Sequence, residues 1–111
     1  MDDRELLELA AKAAGIEGVW AYDEEHNCLI FEPVYVWEVW SPFNDDGDAL
    51  RLAVKLNLFV DLSYPDKIVG WVSDYKSGIC QTLDEPSGND PYAATRRAIV
   101  RAAAEIGKGM E

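Results

Sequence analysis

The sequence predicts an α/β fold of the α+β kind. The expected architecture is a three-layer sandwich, with three helices and a mainly antiparallel or mixed sheet of about four to five strands. Three observations carry this reading. Apolar residues recur at helical spacing in three separated segments that have cap residues at their ends. Short β-prone runs lie between those segments and are apolar on both faces, so they need cover on both faces. Polar turns separate neighbouring runs and favour hairpins. The resulting order is αββ(β)αββ(β)α in a single domain spanning residues 1–111.

The first helix is expected from about Asp2 to Ala14. Leu6, Leu9, Ala10 and Ala13 form its stripe, and Leu7 and Ala14 widen it. Asp2 and Asp3 suit the positive end of the helix dipole. Gly15 is a natural stop, because it enters the left-handed region without a Cβ penalty.

Strands follow at Val19–Tyr22, Cys28–Phe31 and Val34–Trp40, with a polar turn at Asp23–Asn27. The second helix is capped by Asn44 or Asp45 and runs to about Leu56. Ala49, Leu52, Ala53 and Leu56 form its stripe, widened by Leu50 and Val54. Leu58–Leu62 and Ile68–Val72 are expected to pair across the turn Tyr64–Lys67. Ile79–Leu83 adds a short strand, and Glu85–Asn89 reads as loop. Gly70 marks a bulge or a close backbone approach.

The third helix has the plainest signals. Asp90 is the N-cap and Pro91 takes the first helical position, where its missing N–H is harmless. Tyr92, Thr95, Ile99, Ala103 and Ile106 line one face, and Gly107 is read as the stop. An Arg101–Glu105 pair is expected on another face.

Charge is unevenly placed. Nine acidic residues and no Lys or Arg lie between Ala13 and Leu50. The chain holds 21 acids and 10 bases, which leaves 12 acids against 10 bases elsewhere. Trp20, Trp37 and Trp40 fall inside the acidic stretch, and a one-sign field beside aromatic rings suits docking of a basic partner. The same charge argues against direct nucleic-acid binding and against an anionic membrane surface. No run approaches the ~18 apolar residues of a membrane span. The first residues, MDDRELLELA, lack the pattern of a secretory signal, so a cytoplasmic location is expected.

Few residues point to chemistry. Cys28 and Cys80 form no CxxC pair and read as two buried thiols. His26 is the only histidine and sits in a turn among acids, as a surface residue. Asp45, Asp46 and Asp48 are suited to a divalent cation by type. Their spacing is not that of an EF-hand loop, and helix capping accounts for them. Arg96, Arg97 and Arg101 could meet phosphate, but at this net charge nearby acids are the expected partners. No catalytic, cofactor-binding or metal residue is assigned.

Three stretches resemble a known family. They are MDDRELLELAAKAAGI at the start, Trp40 and Pro42 followed by DDGDALRLAVKL, and ATRRAIVRAAAEIGKGM near the end. Together they are similar to small phage and prophage proteins that carry a phage α/β/α (ABA) sandwich domain. The likeness covers the three helices, roughly half the chain. Similar proteins often read Trp-Asn-Pro where this chain has Trp40-Ser41-Pro42. The resemblance implies an α/β/α sandwich and a phage or prophage origin, and it brings no catalytic residues.

The functional expectation is a non-enzymatic phage accessory protein that binds a macromolecule, a basic host or phage protein. Its surface would be Asp23, Glu24, Glu25, Glu32, Trp37, Glu38 and Trp40. The alternatives are a self-associating assembly component, and a small-ligand protein or enzyme with a pocket between sheet and helices.

Overall fold

The computed structural model describes residues 1–16, 20–31, 38–74 and 79–110, with the backbone alone at 71–74 and 79–82. The side chains of Trp71 and Cys80, and all of Glu32 and Trp37, therefore lie outside the described part. The elements are α1 (Asp3–Ala13), β1 (Trp20–Asp23), β2 (Cys28–Phe31), β3 (Glu38–Trp40), α2 (Asp46–Lys55), β4 (Phe59–Asp61), β5 (Lys67–Asp74), β6 (Ile79–Pro86) and α3 (Pro91–Lys108).

Local chemistry explains the helix ends. Asp2, Asp45 and Asp90 are the N-caps, and each side chain accepts a free N–H of the first turn. At the end of α1, Gly15 lies at φ +70°. Its N–H bonds the Lys12 carbonyl, and the Ile16 N–H bonds that of Ala11, both at 3.1 Å. α2 ends the same way with Asn57, at φ +53°, in place of glycine.

The strands form two antiparallel three-stranded sheets, in the orders β1-β2-β3 and β4-β5-β6. This differs from the single sheet of four to five strands suggested by the sequence. The physical reason is α3. It buries Ile99, Val100, Ala103 and Ala104 against the other helices, and Ala94, Ala98 and Ala102 toward β5 and β6. An alanine-rich helix with two buried sides takes the second sheet on one of them. The first sheet meets the helices through Leu29 and α1 instead. β5 and β6 are also longer than expected, and β6 runs through Glu85 into Pro86.

The main core joins Leu6, Leu7, Ala10 and Ala11 of α1 with Leu29, Phe43, Leu52 and the α3 residues. Leu7, Leu29 and Val100 are fully buried, and each burial is worth about 1.5–3 kcal/mol. Leu7 outranks the half-buried Leu9, so the buried face of α1 is rotated from the expected stripe. Tyr92, assigned to the α3 stripe, is 70% exposed. Gly107 lies inside α3 and does not stop it. Arg101 turns to Glu85 on β6, while Glu105 has Lys108 at 3.7 Å.

A polar chain ties the β1–β2 turn to the helices. Tyr22 donates to Asn27 at 2.7 Å, Asn27 donates to Asp3 at 2.8 Å, and Arg97 donates to Asp3 at 2.8 Å. Arg97 Nε also lies 3.4 Å from Glu85, which Arg101 pairs with. The hydrogen bond from Arg97 holds the Asp3 carboxyl below its ordinary range.

Candidate functional site

The predicted site residues fall into two groups. Asp23, Glu24 and Glu25 share the β1–β2 turn. Asp23 is occupied locally: its Oδ2 lies 2.7 Å from His26 Nδ1, and its Oδ1 accepts the Glu25 N–H at 3.1 Å. Those bonds, that to His26 foremost, hold its carboxyl below the ordinary range. Glu24 and Glu25 are exposed, and no cation among the described residues pairs with either.

Glu38 and Trp40 lie on β3, the neighbour of β2. The register pairs Trp20 with Phe31 and Phe31 with Glu38, at the end of the sheet opposite the turn. Glu38 is exposed and likewise has no cation among the described residues. The same register puts Trp20, Tyr22, Leu29, Phe31, Glu38 and Trp40 on one face, which turns toward the helices. Trp40 is thus half-buried at the margin of the core. Its ring centroid is 6.4 Å from that of Trp20, which lies 4.9 Å from Phe31. The acids of the turn are brought together, whereas Glu38 and the indoles do not join them in one patch.

The other polar clusters are held within the fold. Asp45 caps α2, Asp46 holds Arg96 at 2.7 Å, and Asp48 accepts from the Ser41 N–H and from Arg51. Among the described residues, no group of three metal-ligating side chains comes together. All three α3 arginines have acidic partners: Asp46 for Arg96, Asp3 and Glu85 for Arg97, and Glu85 for Arg101. Cys28 is 2% exposed, and burial pushes its thiol up. Among the described residues, no helix is long and apolar enough to cross a membrane.

One feature was not anticipated by the sequence reading. A groove of about 560 Å³ runs between α2, the β4–β5 turn and the first turns of α3. Leu50, Leu62, Tyr64, Ile68, Tyr92 and Ile99 are among its lining residues. Leu50 is 63% exposed and Leu62 60%, so the groove is open to water along its length. Lys67 lies 4.8 Å over the Tyr64 ring and 3.3 Å from Asp84. The available signal was the width of the apolar arc on α2. Leu50 and Val54 exceed what one core-facing stripe can bury, and both are exposed.

No family model, no curated protein and no solved structure matches this chain.

Proposed function

We propose that this chain is a non-enzymatic phage or prophage accessory protein that binds a basic protein partner in the bacterial cytoplasm. The finer fold reading, an α/β/α sandwich, belongs to the same proposal and rests on the sequence resemblance. One observation carries the binding role. Glu24 and Glu25 project from a turn that is locked to α1 and α3 through Tyr22, Asn27, Asp3 and Arg97. Their charges are held in a fixed frame and are not neutralised by any described cation. Such charges steer encounter and choose partners more than they add affinity.

The test is retention of basic proteins from host lysate on the immobilised protein. The variant Glu24→Gln/Glu25→Gln/Glu38→Gln should retain less of them at low salt. Wild type and variant should converge once salt shortens the screening length to about 3 Å. Equal retention by the two proteins at low salt removes the electrostatic role. A self-associating assembly component is the second reading, and the exposed Leu50, Val54 and Leu62 favour it. A mass in solution that rises with concentration would select that reading.

A further inference from the structure

We propose that the groove between α2, the β4–β5 turn and α3 is a docking site for a peptide segment of a partner protein, with an apolar or aromatic anchor flanked by Lys or Arg. The proposal stands on the groove's own residues and does not depend on the acids of the β1–β2 turn.

Several apolar side chains of the groove are exposed to water. Leu50, Leu62 and Tyr92 are each at least 60% exposed, on three different segments that converge on one concavity. Scattered exposed apolar residues need no explanation, but convergent ones around a groove mark a binding surface. An occupant that covered Leu50 and Leu62 would recover part of the hydrophobic stabilisation that full burial of each provides. Tyr64 and Tyr92 add rings whose hydroxyls suit a rim that is wet on one side.

Charge at the rim favours a basic occupant. Asp46 lines the groove and its side chain is 72% exposed. Exposed Asp66 and Asp90 directly adjoin the lining residues Pro65 and Pro91. Of the charges on the lining or directly beside it in the chain, six are acids (Asp45, Asp46, Asp48, Asp61, Asp66 and Asp90) and four are cations (Arg51, Lys67, Arg96 and Arg97). Arg96 is only 16% exposed and is bound to Asp46, and Lys67 is bound to Asp84. The rim is therefore net negative, on a chain whose formal net charge is −11. An acidic segment would be repelled, and a second copy would bring the same net charge to the contact. A segment with apolar anchors and flanking cations meets both the floor and the rim.

The experiment is selection of a displayed library of short random peptides against the wild-type protein. Enriched sequences should combine a Leu, Phe, Trp or Met anchor with Lys or Arg on either side. A synthetic representative should lose about tenfold or more in affinity on Leu50→Asp and on Tyr92→Ser. It should lose about threefold on Asp66→Lys at low salt, with the loss shrinking as salt rises. Leu50 and Tyr92 are largely exposed and sit on different helices, so the two variants check each other for folding, and circular dichroism verifies both. Glu24→Gln/Glu25→Gln/Glu38→Gln should bind the peptide as wild type does, which separates this site from the acidic turn. The proposal is overturned if no sequence is enriched, if the enriched sequences are neutral or acidic, or if Leu50→Asp binds them as tightly as wild type. A wild-type dimer that Leu50→Asp converts to monomer also overturns it, in favour of a second copy as the occupant.

Discussion

Gly107 of α3 packs directly on the backbone of Leu9 in α1: a Cβ on Gly107 would lie 2.0 Å from the Leu9 carbonyl oxygen. Two effects compete at this position. Alanine is intrinsically better than glycine in a helix by about 1 kcal/mol. Overpacking of a tight site costs about 1–3 kcal/mol or more, and here the obstacle is backbone, which cannot rotate away. The clash wins, so Gly107→Ala should destabilise the protein by at least about 2 kcal/mol in urea unfolding. Gly47→Ala is the control. Its nearest neighbour is the mobile end of Arg51, at 3.1 Å, and the change should be within about 1 kcal/mol of neutral. Equal effects at the two positions would mean that α1 and α3 do not approach as described.

The Asp3–Arg97 pair predicts a specific acid limb. Arg97 holds the folded-state carboxyl of Asp3 below its ordinary value. A depressed aspartate contributes stability above its unfolded pKa of about 3.9, and loses it as pH falls through the folded value. Both side chains are about one-third exposed, at 32% and 38%, so solvent screening limits the contribution to about 1 kcal/mol. Asp3→Asn should therefore be less stable than wild type near neutral pH. The difference should shrink as pH falls through the folded value of Asp3, below which both proteins carry a neutral group. Urea midpoints across that range measure it. A difference independent of pH would assign the loss to geometry and not to charge.

How much of this was legible depends on whether local or tertiary forces decide. The helices were, because caps such as Asp90 and stops such as Gly15 act within a few residues. Gly107 has the same local appearance as Gly15. Only its contact with Leu9, far away in the chain, makes it a packing residue. The division into two sheets was not legible, since it follows from the two buried sides of α3, and alanine spacing does not say which partner each side meets. In the candidate site, the exposed acids of the turn could be read directly. The inward orientation of Trp40 required the register that pairs it with Leu29. The groove was hidden because Leu50 and Tyr92 look like core residues by type, and are exposed only because no described element covers them.

Cys28 should behave as an inert thiol. It is 2% exposed in β2, and desolvation raises its pKa, with the nearby Asp23 charge adding to the effect. The nucleophile in alkylation is the thiolate, so both its population and its access are reduced. In the folded protein at about pH 8, iodoacetamide should modify Cys28 far more slowly than in urea. Peptide mass mapping distinguishes it from Cys80. Comparable rates in both conditions would show that β2 opens readily.

Asn57 provides the finest test of the fold's local logic. It follows α2 at φ +53°, and its N–H bonds the Val54 carbonyl at 3.2 Å while that of Leu58 bonds Ala53 at 3.0 Å. The left-handed residue reverses the chain so that Leu58 leaves the helix and packs against the core beside Leu83 and Ala102. Asparagine tolerates this conformation better than other side chains, and glycine tolerates it best. Glycine also makes the unfolded chain freer, which offsets part of its advantage by roughly 0.4–1 kcal/mol. Asn57→Gly should therefore lie within about 0.5 kcal/mol of wild type. Asn57→Ala, which keeps neither the tolerance nor the freedom, should cost about 1 kcal/mol, and the β-branched Asn57→Val more. Urea unfolding ranks the three variants. An Asn57→Ala protein as stable as the glycine variant would mean that α2 does not end in a left-handed turn, and that Leu58 reaches the core by another path.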